Sequence, residues 1–129
     1  MKLSLRSFIV PVASALLLAF SLSVRADETS REEIKHAFHL LKWANADYHG
    51  HKAAAMDELK AAGREVGYDL EGEQDRWHAE HQWKSDDQLR EARRLLRHAR
   101  DHYENADREH LAHHIEKAIK ELDAALDVR

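Results

Sequence analysis

The 129-residue sequence contains no cysteine. That absence excludes thiolate metal ligands, disulfide staples and covalently attached haem, so in an oxidising compartment the chain must hold its shape by packing alone. Methionine is nearly as scarce, Met56 being the only one beyond the initiator, which argues against a soft, sulfur-ligated Cu(I) site. No glycine-rich phosphate loop and no serine nucleophile motif is present, and we read no enzyme from this sequence. Beyond Phe20 there is no apolar run long enough to span a bilayer.

The one apolar run lies near the start. Lys2 and Arg6 precede it, it extends from Phe8 to Phe20, and SLSVRA follows, with Val24 and Ala26 as the small residues of a cleavage site. This is the pattern of a secretory signal peptide over residues 1–26, too short for a span. Cleavage after Ala26 leaves a periplasmic or secreted domain at 27–129, with no membrane association once the signal is gone. The cleaved segment carries Lys2, Arg6 and Arg25 but no acid, so the mature chain holds 17 basic against 24 acidic residues, a net charge of −7. Such a balance excludes nucleic acid as a partner. All 11 histidines stay in the mature part, and its electrostatics therefore depend on pH.

Apolar periodicity then predicts four helices. Ser30-Arg31-Glu32-Glu33 matches a capping box, and Ile34, Ala37, Leu41, Ala44 and Tyr48 keep a 3-4 rhythm, so a helix is expected from about residue 30 to Tyr48. His49-Gly50-His51 reads as a tight turn. Ala55, Met56, Leu59, Ala62 and Val66 form a second stripe that Gly67 closes. Residues 67–84 break the rhythm as a connector. Ser85-Asp86-Asp87-Gln88 opens a third helix through Leu89, Ala92, Leu96, Ala99 and Tyr103, and a fourth is expected from about Asp107 onward.

The halves also resemble each other. Ile34 to Tyr48 aligns without gaps to Leu89 to Tyr103 at an offset of 55, and His51 to Ala62 aligns to His114 to Ala125 at an offset of 63. The expected fold is therefore all-α, a four-helix bundle of two similar helical hairpins with a longer middle connector. If the hairpins stand parallel, both short turns share one end of the bundle. His49 and His51 would then meet His102, His110, His113 and His114, with His98 partway along.

Histidine is the residue type that this sequence concentrates. His98, His102, His110, His113 and His114 fall within the 17 residues 98–114, and five histidine pairs along the chain are three or four apart. Imidazoles at that spacing share a helix face. On a helical wheel His51, His114, His102 and Asp47 flank the apolar stripe, His110 lies near the flank, and His39 and His113 point outward. Imidazole and carboxylate donors suit Cu(II), Zn(II) or Ni(II). The candidate metal ligands are His49, His51, His98, His102, His110, His113 and His114, with Asp47 and Asp107 as nearby carboxylates. Protons compete for the same nitrogens, so affinity is expected to fall below about pH 6. Glu33-Ile-Lys-His36 has the spacing of a di-iron bundle, but the second copy and the further inward glutamates are missing.

An exported, cysteine-free chain of helical repeats with histidines at the turns and the segment His113-His114-Ile-Glu-Lys-Ala-Ile-Lys-Glu-Leu resembles the small periplasmic histidine-rich metal-binding proteins. The resemblance implies a four-helix bundle that takes up divalent ions, copper first, for storage or detoxification. The chain departs from that pattern in having fewer histidines, more arginine, and Trp43, Trp77 and Trp83. Those tryptophans frame the alternative: a helical bundle that acts in stress or structure by binding a protein partner or a second copy of itself through an apolar patch.

Overall fold

The computed structural model describes residues 12–45, 48–72 and 85–128, with side chains from Val24 onward. It contains four α-helices and, among the described residues, no strand: α1 is Val12–Trp43, α2 is His51–Glu65, α3 is Ser85–Asn105 and α4 is Glu109–Asp127. No helix of the described residues is long and apolar enough to cross a membrane. Trp77, Trp83, His78, His81 and Asp47 lie outside the described residues.

The predicted stripes form the core. Ile34 and Leu89, Ala37 and Ala92, Leu41 and Leu96, and Ala44 and Ala99 are each at most 3% exposed, as are Ala55 and Ala118, Leu59 and Leu122, and Ala62 and Ala125 in the other helix pair. Alanine at so many of these sites lets the helix axes approach closely, and the leucines between them supply the buried apolar area. α1 packs on α3, α3 on α4 and α4 on α2, while α1 and α2 touch less.

The ion pairs give the helix directions. Glu33 of α1 meets His98 of α3, and Asp27 meets His102. Arg93 and Arg100 of α3 meet Asp123 and Glu116 of α4. His51 and Glu58 of α2 meet Glu121 and His114 of α4. Partner numbers fall as the others rise, so α1 and α4 run one way and α2 and α3 the other. The turn before α2 sits beside the start of α3, where Asn45 N–H donates to Ser85 Oγ at 3.0 Å and the Tyr48 hydroxyl donates to Asp86 at 2.8 Å. The turn before α4 sits beside the end of α2, where Arg108 donates to the Glu65 carbonyl at 3.2 Å.

The two short turns are thus at opposite ends, not at one end as the parallel-hairpin arrangement expected. Residues 66–84 join the far end of α2 to the near end of α3, a distance of about 22 Å along α2. This is a bundle with one long crossover. The first residues of that crossover double back: the Tyr68 ring lies under Lys35 of α1 at 4.5 Å, Glu71 pairs with Lys60 of α2 at 2.7 Å, and Leu70 is 2% exposed. Leu70 seats on Gly63, where a Cβ would come within 3.0 Å of its Cγ, so glycine is what lets the chain return so tightly.

Helix ends explain two further differences from expectation. α1 does not open at Ser30, because the residues from Val12 onward are already helical, and Ser30 is instead a buried residue inside it. α1 also stops at Trp43, five residues before Tyr48. Tyr48, His49 and Gly50 follow with φ of 52°, 55° and 86°, and Lys52 caps the helix by donating to the Ala44 carbonyl at 2.7 Å. Tyr48 remains 8% exposed, so its ring serves the core from a turn rather than from a helix. α2 and α3 end alike in Schellman motifs: Tyr68 N–H reaches the Gly63 carbonyl at 2.8 Å with Gly67 left-handed, and Arg108 N–H reaches the Tyr103 carbonyl at 2.9 Å with Asp107 left-handed.

Candidate metal centre

The α2/α4 interface is lined on one side by histidine–glutamate pairs. His51 Nδ1 is 2.7 Å from Glu121 Oε2, and His114 Nδ1 is 2.6 Å from Glu58 Oε2. These pairs are copies of each other. His51 corresponds to His114 and Glu58 to Glu121 at the same offset of 63, so a local two-fold relation carries each pair onto the other. The tyrosines next to the turns show the same relation. Tyr48 lies against Asp86, and Tyr103, its counterpart, lies near Asp27 and Arg31, the latter being the counterpart of Asp86. Both phenols are pushed up to about 12, first by burial and then by Asp86 and Asp27 respectively.

One of the two pairs has additional donors. His110, one turn before His114 on α4, bonds through Nδ1 to Glu65, the last residue of α2. The same Glu65 oxygen lies 3.7 Å from His114 Nε2, and the rings of His110 and His114 stand edge to face at 4.8 Å. One donor atom each from Glu65, His110 and His114 lies within 4.8 Å of the other two, the one such group of three among the described residues. A tetrahedral Zn(II) ion with bonds of about 2.0 Å needs donors about 3.3 Å apart. The 3.7 Å between His114 Nε2 and Glu65 is already near that spacing, so it is His110, in direct contact with Glu65, that must readjust to admit an ion. His110 can supply that movement, because its side chain is 78% exposed whereas that of His114 is 20% exposed. Two imidazoles and one carboxylate leave a fourth position for water or another ligand.

The seven expected ligands separate accordingly. His110 and His114 come together. His113 adjoins them, its ring 6.5 Å from that of His114, but it faces out into an open concavity with Glu104, Glu109 and Glu116. His102 is on the α1/α3 face, 3.9 Å from Asp27 and edge-on to Tyr103. His98, farther along that face, pairs with Glu33 at 2.7 Å. His49 and His51 lie at the other end of the bundle, because the turns are at opposite ends; His51, opposite Glu121, is about 16 Å along α4 from His110. Asp107 occupies the left-handed position of its turn. His39, read as outward-facing, is 3% exposed, since α1 has no exposed residue from Ser30 to Leu41.

The sequence reading missed Glu65 and Glu58. Carboxylates are too numerous for composition to single any out, but repeat register could have done so for one of them: Glu58 and Glu121 each stand seven residues, two helical turns, after an equivalent histidine. Comparison with protein-family models, with curated proteins and with solved structures found no match.

Proposed function

We propose that this protein binds a divalent transition metal reversibly through His110, His114 and Glu65, and that it buffers, stores or detoxifies such ions in the periplasm or another exported compartment. The observation that carries this reading is the convergence of two imidazoles and a carboxylate from α2 and α4 on one point. Nitrogen-rich, sulfur-free ligation favours Cu(II), with Zn(II) and Ni(II) as competitors, over Ca(II) or Mg(II), which prefer all-oxygen sites. Three protein ligands at a surface suit an ion that is loaded and released rather than locked in. The resemblance to small periplasmic histidine-rich metal-binding proteins points the same way, although that family's several sites reduce to one cluster among the described residues.

Calorimetric titration of the chain beginning at Asp27 with Cu(II), Zn(II) and Ni(II), each against a competing chelator, tests the proposal. One ion per chain, bound at submicromolar affinity, is the expected result. Weak binding without fixed stoichiometry would overturn it. Trp43, 47% exposed at the end of α1, supports a second reading in which the bundle binds a protein partner or a second copy of itself.

A further inference from the structure

We infer that Glu58 is a positioning residue for the metal, acting through His114. This inference rests on the metal-binding reading above. A carboxylate can only accept a hydrogen bond, so the His114 nitrogen 2.6 Å from Glu58 is the one that carries the proton. In neutral imidazole the other nitrogen then holds the lone pair. That nitrogen, Nε2, is the one turned toward Glu65 Oε1 at 3.7 Å. Glu58 thus selects the tautomer a metal requires, fixes the ring's rotation and makes Nε2 a stronger donor.

Burial reinforces the assignment. The His114 and Glu58 side chains are 20% and 27% exposed, between packed helices, so the ring is held before any ion arrives. His110 has no such support beyond Glu65 itself and is 78% exposed. His114 and Glu65 therefore form the seat, and the exposed His110 completes the set. Metal capture costs the ordering of one histidine instead of two.

The molecule contains its own control. Glu121 holds His51 at 2.7 Å across the same two helices, in a more exposed setting at 37% and 36%. It lies about 10 Å along α4 from His114. Removing Glu121 deletes an equivalent pair without touching the metal donors.

The test compares the wild-type chain with Glu58→Ala, Glu58→Gln and Glu121→Ala. Zn(II) affinity is measured against a chelator, the visible spectrum of the Co(II)-loaded protein is recorded, and helix content is followed by circular dichroism. Glu58→Ala is expected to weaken binding by about 10- to 100-fold and to shift the Co(II) bands. Glu58→Gln keeps an acceptor oxygen and should recover part of the loss, while Glu121→Ala should stay within about twofold of wild type. Equal weakening by Glu58→Ala and Glu121→Ala, or none by either, would overturn the inference while leaving the metal site intact. Failure of the wild-type chain itself to bind would overturn the proposed function and this inference together.

Discussion

The two ends of the α2/α4 interface carry the same histidine–glutamate pair, His51 with Glu121 at one and His114 with Glu58 at the other, yet among the described residues only one holds a cluster of three donors. The difference traces to eight residues. Tyr48 is three positions from His51, whereas its counterpart Tyr103 is eleven from His114. The added segment carries α3 on to Asn105, forms the turn, and gives α4 an opening turn that bears His110. On the facing helix, Glu65 occupies the place that Val128 holds at the other end. The shared pair is therefore a packing device of the repeat, worth about 1 kcal/mol or less where it is partly exposed. The cluster of three donors arises at one end from that eight-residue difference and one carboxylate, Glu65.

Single histidine substitutions should separate the ends most sharply. His114→Ala removes the seated ligand, and a loss of about 100-fold or more in Cu(II) or Zn(II) affinity is expected, since even residues that merely support a ligand are worth 10- to 100-fold. His110→Ala should lose less, because the fixed part of the site survives. His51→Ala should leave affinity unchanged while costing about as much stability as His114→Ala in metal-free protein. Equal losses of affinity from His51→Ala and His114→Ala, read by chelator competition, would erase the distinction between the ends.

The turns differ in strain, which predicts opposite signs for two exchanges. Gly50 has φ of +86° with no atom near a prospective Cβ, so Gly50→Ala meets no clash and costs only its backbone conformation, about 1 kcal/mol. Asp107 has a different left-handed role, closing α3 as Gly67 closes α2, at φ of +57° without being glycine. Asp107→Gly should therefore stabilise the metal-free protein by about 0.5 to 1 kcal/mol in urea unfolding. If both exchanges destabilised, the Asp107 side chain would be contributing to the fold beyond its backbone role.

Much of this was legible in advance. The stripes through Ile34 and Leu89 and through Leu59 and Leu122 predicted the core, because a 3-4 spacing has few other uses. Gly67 predicted the end of α2, because a left-handed residue is what a Schellman motif requires. Tyr48 misled, since periodicity registers a buried ring and cannot tell whether helix or turn delivers it. Ser30 misled as well, because a capping box signals a start only where the preceding residues are not helical. The direction of the crossover was not legible at all: a connector of that length can close the base or run the length of the bundle. What decided it, the antiparallel packing of α1 on α3 marked by Glu33 with His98 and Asp27 with His102, is a long-range fit with no local signature. That single ambiguity sent His49 and His51 to the wrong end.

At the centre of the α1/α3 face the two halves meet on one pair. His36 and Glu91 are each other's counterparts at the offset of 55, and they lie against each other. Burial holds His36 below its ordinary value of 6.5, Glu91 opposes that shift, and His39 and Arg94 add to it. The unfolded chain therefore takes up this proton at a higher pH than the folded one does. Its contribution to stability is complete above about pH 6.5, is lost as the pH falls through that value toward the lower folded one, and changes no further below it. His36→Gln removes the titrating group, so the decline in urea stability between pH 7 and pH 5 should become shallower. A steeper decline would mean that Glu91 outweighs burial and that this face is held together by the protonated pair, as a simple extension of the histidine–glutamate contacts at the two ends would require; an unchanged one would mean that the two effects cancel.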